Sequence, residues 1–204
     1  MTRDKDKRAR FLEHLEPLQG ALEGYCRRAL FDASDMADVL QCTLMKSFRD
    51  FDLYAEGTNF RSWVFHYLHL EIQNWNRKRA RTRGEHLPEE LSTEETWEMI
   101  RDEALLDALL ENPDVVLERC GEEVSEGVRA LPEQARAIFL LHAIAGFAYR
   151  EIAEILAIPI GTVMSSLARS RLRLRKHLAA LAEERGWIQR ESCNRDKPTG
   201  EVKP

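Results

Sequence analysis

The chain has 204 residues, of which 44% are hydrophobic and 32% are charged, and its formal net charge is −5 at pH 7. The apolar share is enough to bury a core, which excludes wholesale disorder, and the low content of Gly and Pro excludes a fibrous chain. Leu, Ala, Glu and Arg predominate over Val and Thr, so the composition favours helices over strands. No stretch approaches the roughly 18 apolar residues of a membrane span, and the N-terminus lacks the apolar segment of a secretory signal.

The first helical block is predicted over residues 8–83. Its first helix has one apolar face with spacings of three and four, formed by Phe11, Leu15, Leu18, Leu22 and Tyr25. A second helix is expected to begin with Ser34 or Asp35 as its cap. Its buried stripe is Met36, Val39, Leu40, Leu44 and Phe48. After a turn that contains Gly57 and Asn59, a third long helix is predicted. Its apolar side carries Val64, Tyr67, Leu68, Ile72 and Trp75.

Charge is strongly segregated along the chain. Residues 76–83, NRKRARTR, hold five basic residues and no acidic one. We interpret this run as a phosphate-binding patch, and the plain alternative is a solvated helix end. Residues 85–126 hold fifteen acidic residues against two basic ones, so the overall acidity belongs to this connector and the rest of the chain is net basic. We therefore expect an acidic linker over residues 84–123.

The second helical block is predicted over residues 124–186, and the polar residues 187–204 are expected to form a disordered tail. After Pro132 the sequence EQARAIFLLHAIAG predicts a short and mostly buried helix that ends at Gly146.

Two further helices, residues 148–156 and 162–186, flank the break AIPIG and resemble a helix-turn-helix by their spacing. Thr162 is expected to cap the second of them through its hydroxyl. The apolar residues predicted to hold the pair together are Ile152, Ala153, Leu156, Ile158, Val163 and Leu167. In such a motif the second helix enters the major groove of DNA by its N-terminal residues. A helical hairpin inside an ordinary all-α protein is the plain alternative.

The second helix of this pair also carries a basic row. Arg169, Arg173 and Lys176 lie away from an apolar row, and Arg171 and Arg175 lie on its flanks. The apolar row is Leu167, Leu174, Leu178 and Leu181. Because no acidic residue interrupts these cations, phosphate contacts are their natural use.

Three segments in this order resemble a bacterial RNA polymerase sigma factor of the extracytoplasmic-function (ECF) group. Residues 35–48, DMADVLQCTLMKSF, are similar to the helix of that family that binds core polymerase. Residues 60–79 resemble the helix that opens the −10 element, and residues 130–178 resemble the −35-binding domain almost throughout. The resemblance implies an all-α fold of two small helical domains: sigma domain two over residues 8–83 and the helix-turn-helix sigma domain four over residues 124–186, joined by the acidic linker.

The resemblance also implies a function. The chain would be no enzyme and would need no metal or cofactor; it would bind core RNA polymerase, direct it to promoter DNA in the cytoplasm and help to melt the −10 element. An anti-sigma factor is a further partner that the family allows. The residues implied to contact core polymerase are Asp38, Gln41 and Lys46. Those implied at the −10 element are Asn59, Phe60, Arg61, His69, Gln73, Asn76, Arg77 and Lys78. Those implied at the −35 element are Thr162, Met164, Ser165, Ser166, Arg169, Arg173 and Lys176.

The sequence departs from the family pattern at the turn and at the start of the reading helix. Met164 and Ser166 stand where many relatives have basic residues, so we expect −35 binding that is weaker or differently specified. Ala157 takes a turn position at which Gly is usual, and an Ala held at positive φ costs about 1 kcal/mol.

Two other functions remain open at this point. A stand-alone helix-turn-helix regulator would need a dimer interface, and no heptad array is visible for one. A sigma-like interaction protein with weak DNA binding is favoured by Met164 and Ser166. His66 and His69 lie three residues apart, but no further ligand follows at metal-binding spacing, so no metal site is predicted.

Overall fold

The computed structural model describes residues 2–83 and 121–184, and every regular element in these two ranges is a helix. The prediction of an all-α fold is therefore confirmed. The N-terminal unit consists of α1 (Thr2–Leu15), α2 (Gln19–Ala29), α3 (Met36–Arg49) and α4 (Phe60–Arg83). The C-terminal unit consists of α5 (Gly121–Arg129), α6 (Glu133–Ala143), α7 (Tyr149–Leu156) and α8 (Ile160–Glu184). The predicted tail and most of the predicted linker lie outside the described residues.

The predicted first apolar face runs across two helices rather than one. A 3₁₀ turn, Glu16–Leu18, separates α1 from α2, because Pro17 cannot continue the hydrogen-bond ladder of α1. On either side of the turn the expected residues are buried: Phe11, Leu15, Leu22 and Tyr25 are at most 4% exposed. The predicted apolar face is therefore confirmed, although the chain bends at the turn Glu16–Leu18.

Asp32 caps the 3₁₀ turn Ala33–Asp35 that leads into α3. The carboxylate of Asp32 accepts hydrogen bonds from the backbone N–H and the hydroxyl of Ser34, at 3.0 and 2.6 Å. Asp35 is the N-cap residue of α3 by position, but its side chain caps nothing, because Arg79 donates to both of its oxygens. The prediction of a capping side chain at Ser34 or Asp35 was wrong.

Helix α4 is the central helix of the N-terminal unit. Val64, Phe65 and Leu68 on it are fully buried. At its N-terminal end Phe60 is 6% exposed and packs in a cluster of aromatic rings. The cluster consists of Phe11, His14, Phe48, Phe51, Tyr54, Phe60 and Trp63. This packing fixes the start of α4 against α1 and α3.

The C-terminal unit packs α5, α6 and α7 around the N-terminal half of α8. Helix α5 begins at Gly121, upstream of residue 124, and it lies close to α8 at Gly127. A Cβ atom at Gly127 would lie 2.8 Å from Cδ2 of His177, so only glycine permits this approach without a shift. Most residues of α6 are buried, as its sequence predicts, and Gly146 takes a positive φ of 64° just after it.

The two units share one continuous hydrophobic core, an arrangement that the sequence analysis did not foresee. Helix α4 packs against α7, and α2 packs against α6. At the centre of the contact the rings of Phe65 and Phe147 meet edge to face, with 4.9 Å between their centroids. Among the described residues no single helix is long and apolar enough to span a bilayer, although the bent pair α7–α8 reaches that length and composition when its helices are taken together.

Candidate nucleic-acid interface

Helices α7 and α8 form the predicted helix-turn-helix. They are inclined by 108°, within the range of about 90–120° that is typical of this motif. The turn contains Ala157 in the left-handed region (φ 54°, ψ 44°), and the N–H of Ile158 donates to the carbonyl of Ala153 at 3.0 Å. Ala157 therefore adopts the strained conformation that its position in the turn demands, and no adjustment of the turn relieves it.

The prediction that Thr162 caps α8 was wrong. Helix α8 begins at Ile160, two residues earlier, and the carbonyl of Pro159 accepts from the N–H groups of Thr162 and Val163. Pro159 suits the entry to a helix because its φ is fixed near the helical value. Thr162 thus lies within the first turn and is half-buried, and its carbonyl accepts a hydrogen bond from the hydroxyl of Ser165 at 3.2 Å.

The first two turns of α8 present an apolar rather than a basic surface. Ile160 and Met164, four residues apart, are 49% and 54% exposed. Met164 was predicted at this surface, whereas Ile160 was not, because its exposure depends on where the helix begins. Ser166, by contrast, is 2% exposed, so the structure does not present this predicted −35 residue at the surface.

The predicted basic row continues from this surface along α8. Ser165, Arg169 and Arg173 recur every four residues and are half-buried, and Lys176 one turn further is exposed. On the opposite side Leu167 and Leu174 are each 1% exposed, in agreement with the predicted apolar row. The side chains of Leu178 and Leu181 lie outside the described residues. Helix α8 therefore combines an anchored face with a polar and basic one.

The face of α3 that the resemblance assigns to core polymerase is open to solvent. Asp38 and Gln41 are exposed, and Met45, which follows on the same face, is 65% exposed. Met45 was not among the predicted core-binding residues, although its spacing from Asp38 and Gln41 places it on the same helix face. Lys46 lies beside this face, and its ammonium group donates to the buried carboxylate of Glu71 at 2.5 Å.

The basic residues at the C-terminal end of α4 lie in two different environments. Arg77, Lys78 and Arg81 are exposed and line a shallow surface cleft together with Asn74 and Thr82. We call this surface the α4 basic patch. Arg79 does not belong to it, because its guanidinium forms two hydrogen bonds of 2.7 and 2.6 Å with the carboxylate of Asp35 and lies 3.4 Å from that of Asp32. One of the five cations in the run therefore has a structural role.

Three residues that the resemblance assigns to −10 DNA are buried. Phe60 belongs to the aromatic cluster, and His69 is 6% exposed, with its Nδ1 3.4 Å from the hydroxyl of Tyr25. Asn76 is 1% exposed; it accepts from the N–H of Phe31 and donates to the carbonyl of Ala29, so it satisfies the backbone where α2 ends. In this arrangement the structure does not present these side chains to DNA.

Two further −10 residues contact the C-terminal unit. The amide of Asn59 donates to the carboxylate of Glu151 at 2.7 Å. The guanidinium of Arg61 lies over the ring of Phe147, 4.1 Å from its centroid. Gln73 is half-buried in the wall of a small cavity between the units. Of the predicted −10 set, Asn59, Arg77 and Lys78 are exposed.

Burial governs the titration of the groups between α2 and α4. It lowers the pKa of His69 to about 4, with smaller contributions from the charges of His66 and Arg77, so this imidazole is neutral at pH 7. Burial also raises the pKa of the Cys26 thiol to about 12, which makes it unreactive. The described residues contain no group of three or more His, Cys, Asp or Glu side chains that could hold a metal ion.

Comparison with sequence families gives one match for each unit. The family described as Sigma-70 region 2 matches residues 15–82, and the family described as Sigma-70, region 4 matches residues 121–174. Two solved structures share the fold. The sigma factor RpoE in complex with the anti-sigma factor NepR from Bartonella quintana has a TM-score of 0.62 at 23% identity, over 83% of this chain and 96% of that one. CnrH in complex with the cytosolic domain of CnrY has a TM-score of 0.59 at 21% identity, over 85% and 90%.

Curated relatives extend the match to most of the chain. The RNA polymerase sigma-H factor of Pseudomonas aeruginosa is 30% identical over 182 residues, which are 88% of this chain and 91% of that protein. The ECF RNA polymerase sigma factor SigE of Mycolicibacterium smegmatis is 30% identical over 152 residues, or 74% of this chain, and the match spans only 54% of SigE. A stand-alone regulator is not favoured, because both units match sigma regions in order. The chain therefore belongs to the sigma-70 family of RNA polymerase sigma factors, within its extracytoplasmic-function group.

Proposed function

We propose that this chain is a transcription initiation factor that binds core RNA polymerase and directs it to promoters with −35 and −10 elements. The observation that carries the proposal is the helix-turn-helix of α7 and α8, whose second helix keeps its N-terminal turns exposed while its other face is anchored. A factor of this kind supplies recognition and leaves the chemistry of RNA synthesis to the polymerase, so it works in the compartment that holds the polymerase, the cytoplasm.

For core polymerase we propose the face of α3 formed by Asp38, Gln41 and Met45, with Lys46 beside it. These side chains project from one side of a helix whose other side is fixed in the core by Val39 and Thr43. An exposed apolar residue between polar ones is the composition of a protein-binding surface. Met45 adds to this face the apolar contact that the polar residues lack.

For promoter DNA we propose two surfaces. The α4 basic patch, with Asn59 and Arg61 at the other end of the same helix, contacts the −10 region. On α8, Thr162, Met164, Ser165 and the basic row contact the −35 region. The basic residues position the duplex through its phosphates, whereas the first turns of α8 contact base edges. Since Met164 and Ile160 are apolar, we propose that they contact thymine methyl groups, the one apolar feature of the major groove.

The test begins with purified chain and bacterial core polymerase. Complex formation is followed by gel filtration, and initiation by run-off transcription from a randomised template library. We expect a stable complex and start sites that share two elements. A chain that neither binds core polymerase nor changes the choice of start sites would contradict the proposal.

A matched pair of variants locates the core-binding face. Met45→Lys should weaken core binding at least tenfold, because it places a charge in the apolar part of the contact. Leu53→Lys is the control, since Leu53 is another exposed apolar residue, 80% exposed, and lies outside α3. Equal binding by both variants would show that the contact lies elsewhere.

A further inference from the structure

A cleft at the surface, lined by residues of both units, has no part in the proposed function. The N-terminal unit supplies Arg27 and Arg28 from α2, and the C-terminal unit supplies Ser125 and Arg129 from α5. The cleft has a volume of about 290 Å³, near the lower end of the range of about 300–1,000 Å³ that is typical of sites for small molecules. Because Arg27 and Arg129 are exposed, one side of the cleft is open to solvent.

The three arginines of the cleft come from two helix ends. Arg27 and Arg28 lie in the last turn of α2, and Arg129 is the last residue of α5. None of them forms an ion pair with a carboxylate in the part of the chain that the structure describes. Arg28 uses one N–H group, which donates to the carbonyl of Gly24 at 3.2 Å. A cation in a last turn stabilises its own helix, but that effect does not require two helix ends to meet.

A fourth guanidinium lies beside this set. Arg136 is 2% exposed, and its Nη1 atom donates to the carbonyl of Arg129 at 3.4 Å. Its Nη2 atom is buried without a hydrogen-bond partner among the described residues. Burial lowers the pKa of Arg136, the charge of Glu133 partly opposes this effect, and the charge of Arg129 adds to it. Positive charge is therefore in excess around Arg129, which favours an anion in the cleft.

The floor of the cleft is apolar. Val128 is 4% exposed and Leu140 is fully buried, and Ala33 adds an exposed methyl group to the lining. Ser125, one turn before Arg129 on α5, adds a half-buried hydroxyl. An inorganic anion would use the guanidinium groups and leave the apolar side chains without a partner. The lining is therefore suited to a ligand that carries a strongly anionic group next to an apolar one.

We propose that this cleft binds a small organic polyphosphate of the nucleoside polyphosphate class. Each guanidinium can form paired hydrogen bonds with phosphate oxygens. Three such groups match a diphosphate or triphosphate better than a single phosphate, whose charge is about −2 at most. The base or sugar of the ligand contacts the apolar floor. Since both units line the cleft, the bound ligand contacts both, and its binding goes beyond the proposed function.

Isothermal titration calorimetry of the full chain with ATP tests the proposal. Polymerase is absent, and EDTA is present so that no divalent ion links the phosphates to the protein. We expect saturable binding of one ATP per chain, at least tenfold weaker binding of AMP and of inorganic triphosphate, and no binding of adenosine. ATP should also raise the midpoint of thermal unfolding, because a ligand that binds only the folded chain stabilises it.

Charge reversal locates the site. Arg27→Glu combined with Arg129→Glu should weaken ATP binding at least 100-fold, because two charge-assisted hydrogen-bond donors become repulsive groups. The control, Lys5→Glu combined with Arg8→Glu, makes the same change of net charge at exposed residues of α1 and should keep the affinity within twofold. Arg27→Lys combined with Arg129→Lys keeps the charge but not the paired donors, so we expect a loss of about tenfold.

Four results would overturn the proposal: no saturable binding of ATP at millimolar concentration, unchanged affinity in the cleft variant, equal losses in the cleft and α1 variants, or inorganic triphosphate that binds as tightly as ATP. ATP binding that needs neutralisation of the acidic residues between 85 and 120 would assign the cleft to the chain's own connector, and would equally contradict the proposal. Because polymerase takes no part, a negative result leaves the proposed function intact, and a chain that fails to bind core polymerase leaves this inference intact.

Discussion

The two surfaces proposed for DNA differ in what they contact. The first turns of α8 are exposed, with Met164 at 54%, whereas Asn59 and Arg61 at the start of α4 contact Glu151 and Phe147 of the C-terminal unit. The difference fits what each surface is proposed to bind. A helix that reads duplex DNA needs a rigid face and solvated side chains, and these are stable in water. A surface for unpaired bases must offer stacking and unpaired donors, which find internal partners when DNA is absent.

The comparison also separates two kinds of cation on α4. Arg77, Lys78 and Arg81 are exposed, as a surface that binds phosphates requires. Arg61 is half-buried over the ring of Phe147, and Arg79 is bound to Asp35. A single helix therefore carries an exposed basic patch, a cation that contacts the C-terminal unit and a structural ion pair.

The largest expected effect is a pH dependence of stability on the covered side of α4. Burial lowers the pKa of His69 to about 4, whereas an unfolded histidine titrates near 6.5. Between these values the unfolded chain binds the proton that the folded chain excludes. His69 therefore leaves the free energy of unfolding unaffected above about pH 6.5. As the pH falls from 6.5 to 4, His69 lowers this free energy by about 3 kcal/mol.

Urea unfolding followed by helicity at a series of pH values measures this effect. Carboxylates titrate over the same range, so His69→Gln is the reference: it keeps a polar group near the hydroxyl of Tyr25 and has no proton to gain. The stability of the wild-type chain should fall more steeply than that of the variant below pH 6.5. Parallel curves would show that His69 is not buried in its neutral form.

The next effect concerns the exposed side of α4. Reversal of the basic patch by Arg77→Glu, Lys78→Glu and Arg81→Glu should weaken promoter binding by the holoenzyme at least 100-fold, because phosphate contacts become repulsions. Loss of three phosphate contacts should also reduce the slope of log K against log salt by about 2.7. Filter binding at several salt concentrations measures both quantities.

The control for this reversal keeps the change in net charge and moves it elsewhere. Lys5, Arg8 and Arg27 are exposed cations on α1 and α2, outside the patch. Their replacement by Glu should change promoter binding much less and leave the salt slope nearly unaltered. If both triple variants lose the same affinity, net charge rather than the patch determines binding.

Periodicity predicted the helices well because each of them buries one face. Ile152, Val163 and Leu167 are at most 1% exposed, as the spacing around AIPIG indicated, and the turn between α7 and α8 lies where the sequence placed it. The start of α8 was predicted two residues late, since Thr162 offers a capping hydroxyl whereas Pro159 supplies the entry through its backbone. A residue type indicates that a helix begins nearby and does not fix the first turn.

The contact between the units could not be read from the sequence. An apolar stripe shows that a helix face is buried but does not name its partner, and Phe65 and Phe147 meet across 82 positions of the chain. The same limit applies to charge. The run at the end of α4 holds five basic residues and no acidic one, yet Arg79 binds Asp35 while Arg77, Lys78 and Arg81 face solvent, because each successive side chain points in a new direction.

The smallest expected effect comes from removing one thymine methyl group that the exposed surface of α8 is proposed to contact. Uracil differs from thymine only by the absence of the C5 methyl, so replacement of dT by dU in the −35 element removes the contact proposed for Met164 and nothing else. One buried methyl contributes about 1 kcal/mol, so the holoenzyme should lose about fivefold in affinity at one or two positions. Fluorescence anisotropy with a promoter selected for this chain measures the loss.

The variant Met164→Ala decides whether that methyl is contacted by this residue. The variant should bind the thymine promoter less tightly than the wild type and should no longer distinguish dT from dU at the affected position. Substitutions of dU outside the two promoter elements are the control and should have no effect in either protein. If Met164→Ala retains the full preference for thymine, Ile160 becomes the next residue to change, because it lies one turn earlier on the same exposed face.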